Sequence, residues 1–337
     1  MADHYESRSS RHLRLGSLIW GWGLVAALSA APACKRDARP EPAPETSPSP
    51  RRPDESRPEP RTLLSLPVSA YHASLVARDG DAVDLLAESA VYRLSPGRPP
   101  VRTPLKLGTV SAARPSGYVT WSDGALRELP ADGGPAKRLA PLPEQPQLLV
   151  ASAAGVAWVE GGPAGPTRVQ TFRAGRALSL VTSPGRIDAA VMAGDRVYFV
   201  ERPGGPDWRI GSVALAGGAA TFTQARPGRS PSMLAASRDL AFYLGAGFEV
   251  HRLSLDLQHE RTVASGFICS PLALADAVYC SQPEGLFELA PDAAPRWLAP
   301  GSLSRPVSDL AVAGGTLFWI SDDGTDRLRV SALPLRR

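Results

Sequence analysis

The sequence predicts an all-β fold, a seven-bladed β-propeller, from an all-strand pattern that repeats seven times and turns at fixed places within it. Each repeat has a small turn residue, an apolar run centred on a bulky side chain, a turn, and a second strand ending in Leu, Val or Phe. The bulky positions are Leu85, Trp121, Trp158, Phe199, Phe242, Cys280 and Trp319, spaced 36, 37, 41, 43, 38 and 39 residues apart. A four-stranded propeller blade takes about 40–45 residues, so this period matches one blade per repeat. Asp-Gly and Gly-Gly pairs fall between the short strand-like runs, where tight hairpins need a backbone with φ > 0. Six blades is the alternative count if the weak first repeat around Leu85 is not a blade.

The elements follow in chain order. Residues 1–14 are polar and carry Arg8, Arg11, His12 and Arg14, and an apolar stretch runs from Leu15 to Ala30. Ala31-Pro32-Ala33-Cys34 comes next. A basic region, a short hydrophobic region and small residues form the order of a secretory signal, expected here over residues 1–33. At 16 residues the apolar stretch is shorter than the roughly 20 that a spanning helix needs. The stretch ending in Ala33-Cys34 resembles the lipobox of bacterial lipoproteins, with Ala31 where Leu is usual and Pro32 beside it. That resemblance implies a lipidated Cys34 and a membrane-anchored lipoprotein, with Lys35 favouring the outer membrane. Plain cleavage after Ala33, leaving a cysteine of no special use, is the alternative.

Residues 34–61 are expected to form a disordered, Pro-rich tether. Eight prolines lie between Pro40 and Pro60, and residues 36–61 contain no Leu, Ile, Val or aromatic. Such a segment cannot bury enough surface to offset its ordering entropy, and it extends at about 3.1 Å per residue.

The propeller is expected over residues 62–337. Thr62–Val68 reads as a strand that precedes the first repeat without belonging to it, while the C-terminus stops after the third strand of the seventh. Pairing these two ends supplies the missing fourth strand and removes an exposed sheet edge. The second repeat reads Val110–Ala113, Tyr118–Ser122, Ala125–Leu129 and Lys137–Leu139. The fourth reads Ile187–Ala193, Arg196–Glu201, Trp208–Leu215 and Ala220–Ala225, with a loop at Pro203–Pro206. The seventh reads Leu310–Ala313, Thr316–Ser321 and Arg327–Leu333. Trp121, Trp158, Phe199, Phe242 and Trp319 are expected on second strands, packed between neighbouring blades.

Val119-Thr120-Trp121-Ser122-Asp123, Val156-Ala157-Trp158-Val159-Glu160 and Val197-Tyr198-Phe199-Val200-Glu201 resemble the repeat of YWTD-type propellers. Arg127-Glu128-Leu129-Pro130-Ala131-Asp132-Gly133-Gly134 is similar to the second half of the bacterial repeats of that kind. The later repeats depart from it, with Leu244, Gln282 and Ser321 at the acidic position and Cys280 replacing the aromatic. The resemblance covers most of residues 70–335 and implies an interaction platform more than any chemistry.

Composition narrows the function. The net charge is +4, and without the first 33 residues 34 basic side chains face 31 acidic ones. No basic patch emerges, so nucleic acid is not the expected partner. Lys35, Lys106 and Lys137 are the only lysines among 37 basic residues, as in proteins of GC-rich bacterial genomes. Beyond residue 33 the histidines are His72, His251 and His259, with no H-x-x-x-H, no H-E-x-x-H and no Cys-x-x-Cys. No zinc site, Walker loop, G-x-S-x-G or dinucleotide fingerprint is written in the chain. His251, in a third strand over Glu249–Ser254, reads as a partly exposed structural residue. Asp322-Asp323-Gly324-Thr325-Asp326 clusters hard oxygens but lacks calcium-loop spacing, and a hairpin turn explains it.

Catalytic residues, cofactors and metal ligands are therefore expected to be none. Cys269 and Cys280, the cysteines left after Cys34, are a candidate disulfide pair in an exported protein. They flank one hairpin, Ser270–Ala275 and Ala277–Ser281, turning near Asp276, so that Cys280 faces Pro271 or Ala273. Direct opposition does not follow from that spacing; two buried thiols are the alternative. The expected function is a non-catalytic, lipid-anchored, monomeric platform for an envelope protein, a peptide or a glycan. The alternatives are a lyase, lactonase or hydrolase at the central channel and an envelope-assembly scaffold.

Overall fold

The structure is a computed structural model. It describes residues 59–67, 73–78, 81–87, 90–161, 166–173, 175–231, 233–245, 247–300, 307–322 and 327–335. The expected signal segment, Cys34, the expected tether up to residue 58, His72 and the centre of the expected Asp322–Asp326 turn lie outside the described residues.

Among the described residues every regular element is a strand, and the strands form seven sheets of four. Strand β1 (Arg61–Leu66) stands apart from the first repeat. Blade one holds β2 (Ser74–Ala77), β3 (Val83–Ala87), β4 (Ala90–Leu94) and β5 (Val101–Thr103). Blade two holds β6 (Val110–Arg114), β7 (Gly117–Ser122), β8 (Ala125–Pro130) and β9 (Lys137–Pro141). In blade three these are β10 (Leu148–Ser152), β11 (Gly155–Glu160), β12 (Thr167–Arg173) and β13 (Arg176–Ser183). Blade four comprises β14 (Arg186–Ala193), β15 (Arg196–Gly204), β16 (Asp207–Ala214) and β17 (Thr221–Phe222). Blade five comprises β18 (Leu234–Ala236), β19 (Asp239–Leu244), β20 (Glu249–Ser254) and β21 (Glu260–Ser265). Blade six has β22 (Leu272–Leu274), β23 (Val278–Gln282), β24 (Gly285–Leu289) and β25 (Arg296–Pro300). Blade seven has β26 (Val307–Ala313), β27 (Thr316–Asp322) and β28 (Leu328–Pro334), and β1 completes it as the outer strand.

The fold is thus a seven-bladed propeller closed by pairing of the two ends of the ring. Arg61 faces Ala332 and Leu66 faces Leu328, with a register shift between Thr62 and Leu64. Pro67 has no N–H to continue the ladder, so the closing strand stops at Leu66 rather than at Val68. The first repeat around Leu85 is a full blade, which settles the count at seven.

All seven bulky positions lie on second strands. Trp158, Phe199, Phe242 and Trp319 are buried between blades, each burial worth about 1.5–3 kcal/mol. Trp121 is half-buried, and its indole N–H donates to the Leu142 carbonyl at 2.9 Å. The core is not central. It divides into seven clusters, each shared by two consecutive blades, and one of them joins blade seven to blade one through Leu85, Phe318 and Ile320. First strands are innermost, with β26 against β2, β6 against β10 and β10 against β14 around the channel.

Two glycines are required by close approach. A Cβ on Gly211 would lie 2.4 Å from the Phe199 ring, which stands edge-on to Phe222 at 6.0 Å. A Cβ on Gly314, where φ is +54, would lie 2.4 Å from Asp81 Cβ, because the first turns of blades seven and one abut. Strand limits differ from expectation where bulges extend pairing. β15 runs on to Gly204, which pairs with Asp207, so the Pro203–Pro206 loop narrows to a tight turn. β26 begins three residues earlier than expected, because a shift between Val307 and Asp309 keeps it in register with β27.

Candidate functional site: the channel mouths

Because every first strand runs along the channel, the turns that follow them gather at one mouth. A cavity of about 750 Å³ is lined there by the first turns of blades five, six and seven together with Arg78. A second, of about 460 Å³, is lined by those of blades one to four and again by Arg78.

Arg78 is fixed by a clamp. Its Nε lies 3.2 Å from Oδ2 of Asp84, a fully buried carboxylate on β3. Its Nη2 donates to the Pro115 carbonyl at 2.8 Å, and its Nη1 donates to the carbonyls of Arg114 and Gly117. Asp84 also accepts from Arg93 Nε at 3.1 Å and from the Tyr118 hydroxyl at 2.5 Å. Burial first, and then this bond to Asp84, push the Tyr118 phenol well above its ordinary range. With both oxygens bonded within the protein, Asp84 ties the turn of blade one to blade two. Ser152 Oγ donates to the Gly194 carbonyl at 2.7 Å, and Arg252 Nη1 to that of Asp276 at 3.0 Å. The turns of blades three and four, and of five and six, are therefore tied as well.

On this rigid rim the side chains of Asp195, Arg238 and Asp276 are exposed. They make no side-chain hydrogen bond or ion pair with another described residue. Behind Asp276, Tyr279 is buried beside the Glu288–Arg296 pair, and burial followed by the Glu288 charge raises its phenol to about 12.

The other mouth is marked by two first strands. In β14 a register shift at Asp188 lets its Oδ2 accept from Ser230 Oγ at 2.5 Å, while Arg186 pairs with Oδ1. In β26 Asp309 accepts from the backbone N–H of Leu75 at 2.7 Å and of Leu310 at 2.8 Å. Burial outweighs these bonds and pushes its carboxyl up to about 6. Neither aspartate was singled out by spacing or motif. The signal available was a carboxylate inside an otherwise apolar first-strand run.

A third charged cluster joins blades four and five. Arg226 forms a two-pronged pair with Glu260, and His251 sets Nδ1 2.9 Å from Glu260 and Nε2 3.2 Å from Glu249. His251 is 6% exposed and stacks on Phe242 at 5.1 Å. It is therefore buried, not partly exposed as its place in the third strand suggested, because Phe242 and the outer strand β21 cover both sides of the ring. Burial alone would raise the Glu260 pKa, but the close approach of His251 and the hydrogen bonds from Arg226 outweigh it and bring it to about 2. A carboxylate held below its ordinary 4.5 adds stability that is fully present above that pH and lost as pH falls toward 2. Glu260→Gln should flatten the fall in thermal midpoint across this window, removing about 1–2 kcal/mol after allowance for solvent screening. Calorimetry of both proteins from neutral to acid pH checks this; parallel curves would refute it.

Cys269 and Cys280 stand as two fully buried thiols in the cluster between blades five and six. Cys280 pairs with Leu272, between the two partners expected for it. Among the described residues no three His, Cys, Asp or Glu side chains gather as a metal-binding group.

No family model matches the chain, and no curated protein matches it in sequence. Solved structures do resemble it. An oligogalacturonate lyase in complex with manganese superposes with a TM-score of 0.58 at 12% identity, over 83% of this chain and 94% of that one. A streptogramin B lyase gives 0.55 at 12% identity, over 81% and 97%. PorZ, an essential bacterial surface component of the type-IX secretion system of Porphyromonas gingivalis, gives 0.52 at 14% identity, over 83% of this chain and 40% of PorZ. At such identities the likeness shows the propeller fold alone.

Proposed function

We propose that this protein is an exported, lipid-anchored propeller that binds an envelope protein, peptide or glycan at the mouth formed by its first turns. The observation that carries this reading is the contrast at that mouth. Arg78 and Arg252 are committed to holding turns together, whereas Asp195, Arg238 and Asp276 stand exposed on the rigid rim thus made. Polar groups pre-ordered around a cavity lower the ordering cost of binding. The basic-apolar-small order of residues 1–33, Cys34 and the Pro-rich tether support presentation of the ring away from a membrane. PorZ offers an example of a propeller-containing protein at a bacterial surface.

The test immobilises the ring, passes envelope extract of the source cells over it, and repeats this with Arg238→Glu combined with Asp276→Arg. A retained species lost with the variant supports the reading. Equal retention by both proteins, or none by either, overturns it. In the same cells Cys34→Ser should move the protein from the membrane to the soluble fraction, and unchanged membrane association would end the anchor proposal.

A second reading, a lyase acting at the opposite mouth, is favoured by Asp309. A channel carboxyl poised near pH 6 suits proton transfer. Two of the similar structures are lyases. Turnover of an oligogalacturonate or of streptogramin B that disappears in Asp309→Asn would select it.

A further inference from the structure

The two cysteines occupy places that blades four and seven fill with an aliphatic and an aromatic side chain. In blade four Ala190 pairs with Phe199, and Ile187, three residues upstream, is carried onto the Phe199 face by the shift between Ile187 and Ala189. In blade seven Leu310 pairs with Trp319, and Val307, again three residues upstream, joins Trp319 in one cluster through the same kind of shift. Blade six repeats the arrangement. Leu272 pairs with Cys280, and Cys269 lies three residues upstream. Ser281 is bonded on both sides by the two residues between, donating to the Pro271 carbonyl at 3.2 Å and accepting from Ser270 N–H at 3.3 Å. Two residues opposing one is a bulge, and it slips the strand so that Cys269 lands on the face of Cys280. Without the bulge strict alternation would put them on opposite faces. Both thiols are fully buried and lie in one apolar cluster.

We propose that Cys269 and Cys280 close as a disulfide during folding, a covalent staple where blades four and seven use an aliphatic–aromatic pair. The inference rests on the export reading only for the source of the oxidant, a protein or small-molecule disulfide. One cysteine thiolate attacks that disulfide and releases one thiol. The second then displaces the remaining carrier sulfur, so two protons and two electrons leave as two carrier thiols. Closure has to precede the packing of blade six on blade five, because neither sulfur is accessible afterwards. Burial, and then the neighbouring Cys280 thiol, also hold the Cys269 thiol well above its ordinary range, so a folded, reduced pair is inert.

The test uses the Cys34→Ser chain, which leaves only this pair. The chain is unfolded with reductant, refolded in a glutathione redox buffer, quenched in acid and alkylated in denaturant. The expected result is a fall from two alkylated thiols to none, a mass lower by two hydrogens, and a higher thermal midpoint than after refolding in reductant. Two alkylated thiols, glutathione adducts or a lower midpoint would overturn the proposal. A Cys280→Ala variant should lose the dependence of the midpoint on redox buffer; a retained dependence refutes the pairing. Protein recovered directly from an exporting host should carry the bond. If it is reduced there yet closes on refolding, the export reading falls and the pair stands.

Discussion

Deletion of Arg61–Leu66 should abolish cooperative unfolding of the ring, leaving a broad, early transition and soluble aggregates. β1 is far from the rest of blade seven in sequence, yet it is that blade's outer strand. Its ladder runs from Arg61–Ala332 to Leu66–Leu328. Leu63, Leu64 and Leu66 pack against the cluster of Leu328, Val330 and Phe318 that joins blade seven to blade one. Uncovering three leucines, even partly, costs about 1–2 kcal/mol each. The loss is comparable to the lower end of the 5–15 kcal/mol that holds a typical domain together. Removing the strand also turns β28 into an exposed edge, a template for pairing with other chains. Thermal unfolding followed by circular dichroism, with size-exclusion chromatography, measures both effects. A truncated chain that stays monomeric and melts within a few degrees of the intact one would show that the ring closes by other contacts.

The second large effect is expected at Asp84. Asp84→Ala should destabilise the fold by about 3–5 kcal/mol, the usual cost of breaking a buried ion pair on one side. The carboxylate is fully buried and serves Arg78, Arg93 and Tyr118. Arg78, with a side chain only 10% exposed, would keep its charge without a counter-ion. Arg93 is 44% exposed and can turn to water, so Arg93→Ala should cost no more than about 1 kcal/mol. Arg78→Ala should approach the effect of Asp84→Ala, since the carbonyls of Arg114 and Pro115 lose their donor as well. Urea unfolding of the three variants and of the Asp84–Arg78 double variant checks the coupling. Strict additivity would contradict the clamp.

The blades were legible because each is a local object. Alternation along a strand and a turn two residues long are decided by neighbours in sequence, so Gly194-Asp195 and Gly314-Gly315 mark hairpins without reference to anything distant. Leu85, the faintest repeat, still lies on a second strand with both faces buried. The clamp was not legible. Asp84 reads as one acid in an apolar run, and its partner Tyr118 stands in the next blade, 34 residues on. Asp309 escaped for a related reason: a first strand started at Leu310 by pattern alone omits it, and the amide it binds belongs to Leu75, 234 residues away.

Periodicity by itself determined the all-β class and the blade repeat, pointed to seven blades with six as the alternative, and assigned the strand ahead of the first repeat to the last blade, because these depend on how each short run folds onto its neighbour. Only the tertiary structure decided which charges are spent between blades, which stand free at the channel mouth, and that a bulge at Ser270–Pro271 brings Cys269 to Cys280. Side chains on facing sheets meet once the ring has closed, and one residue of slip in a strand moves a side chain to the other face. Neither effect leaves a mark on the period.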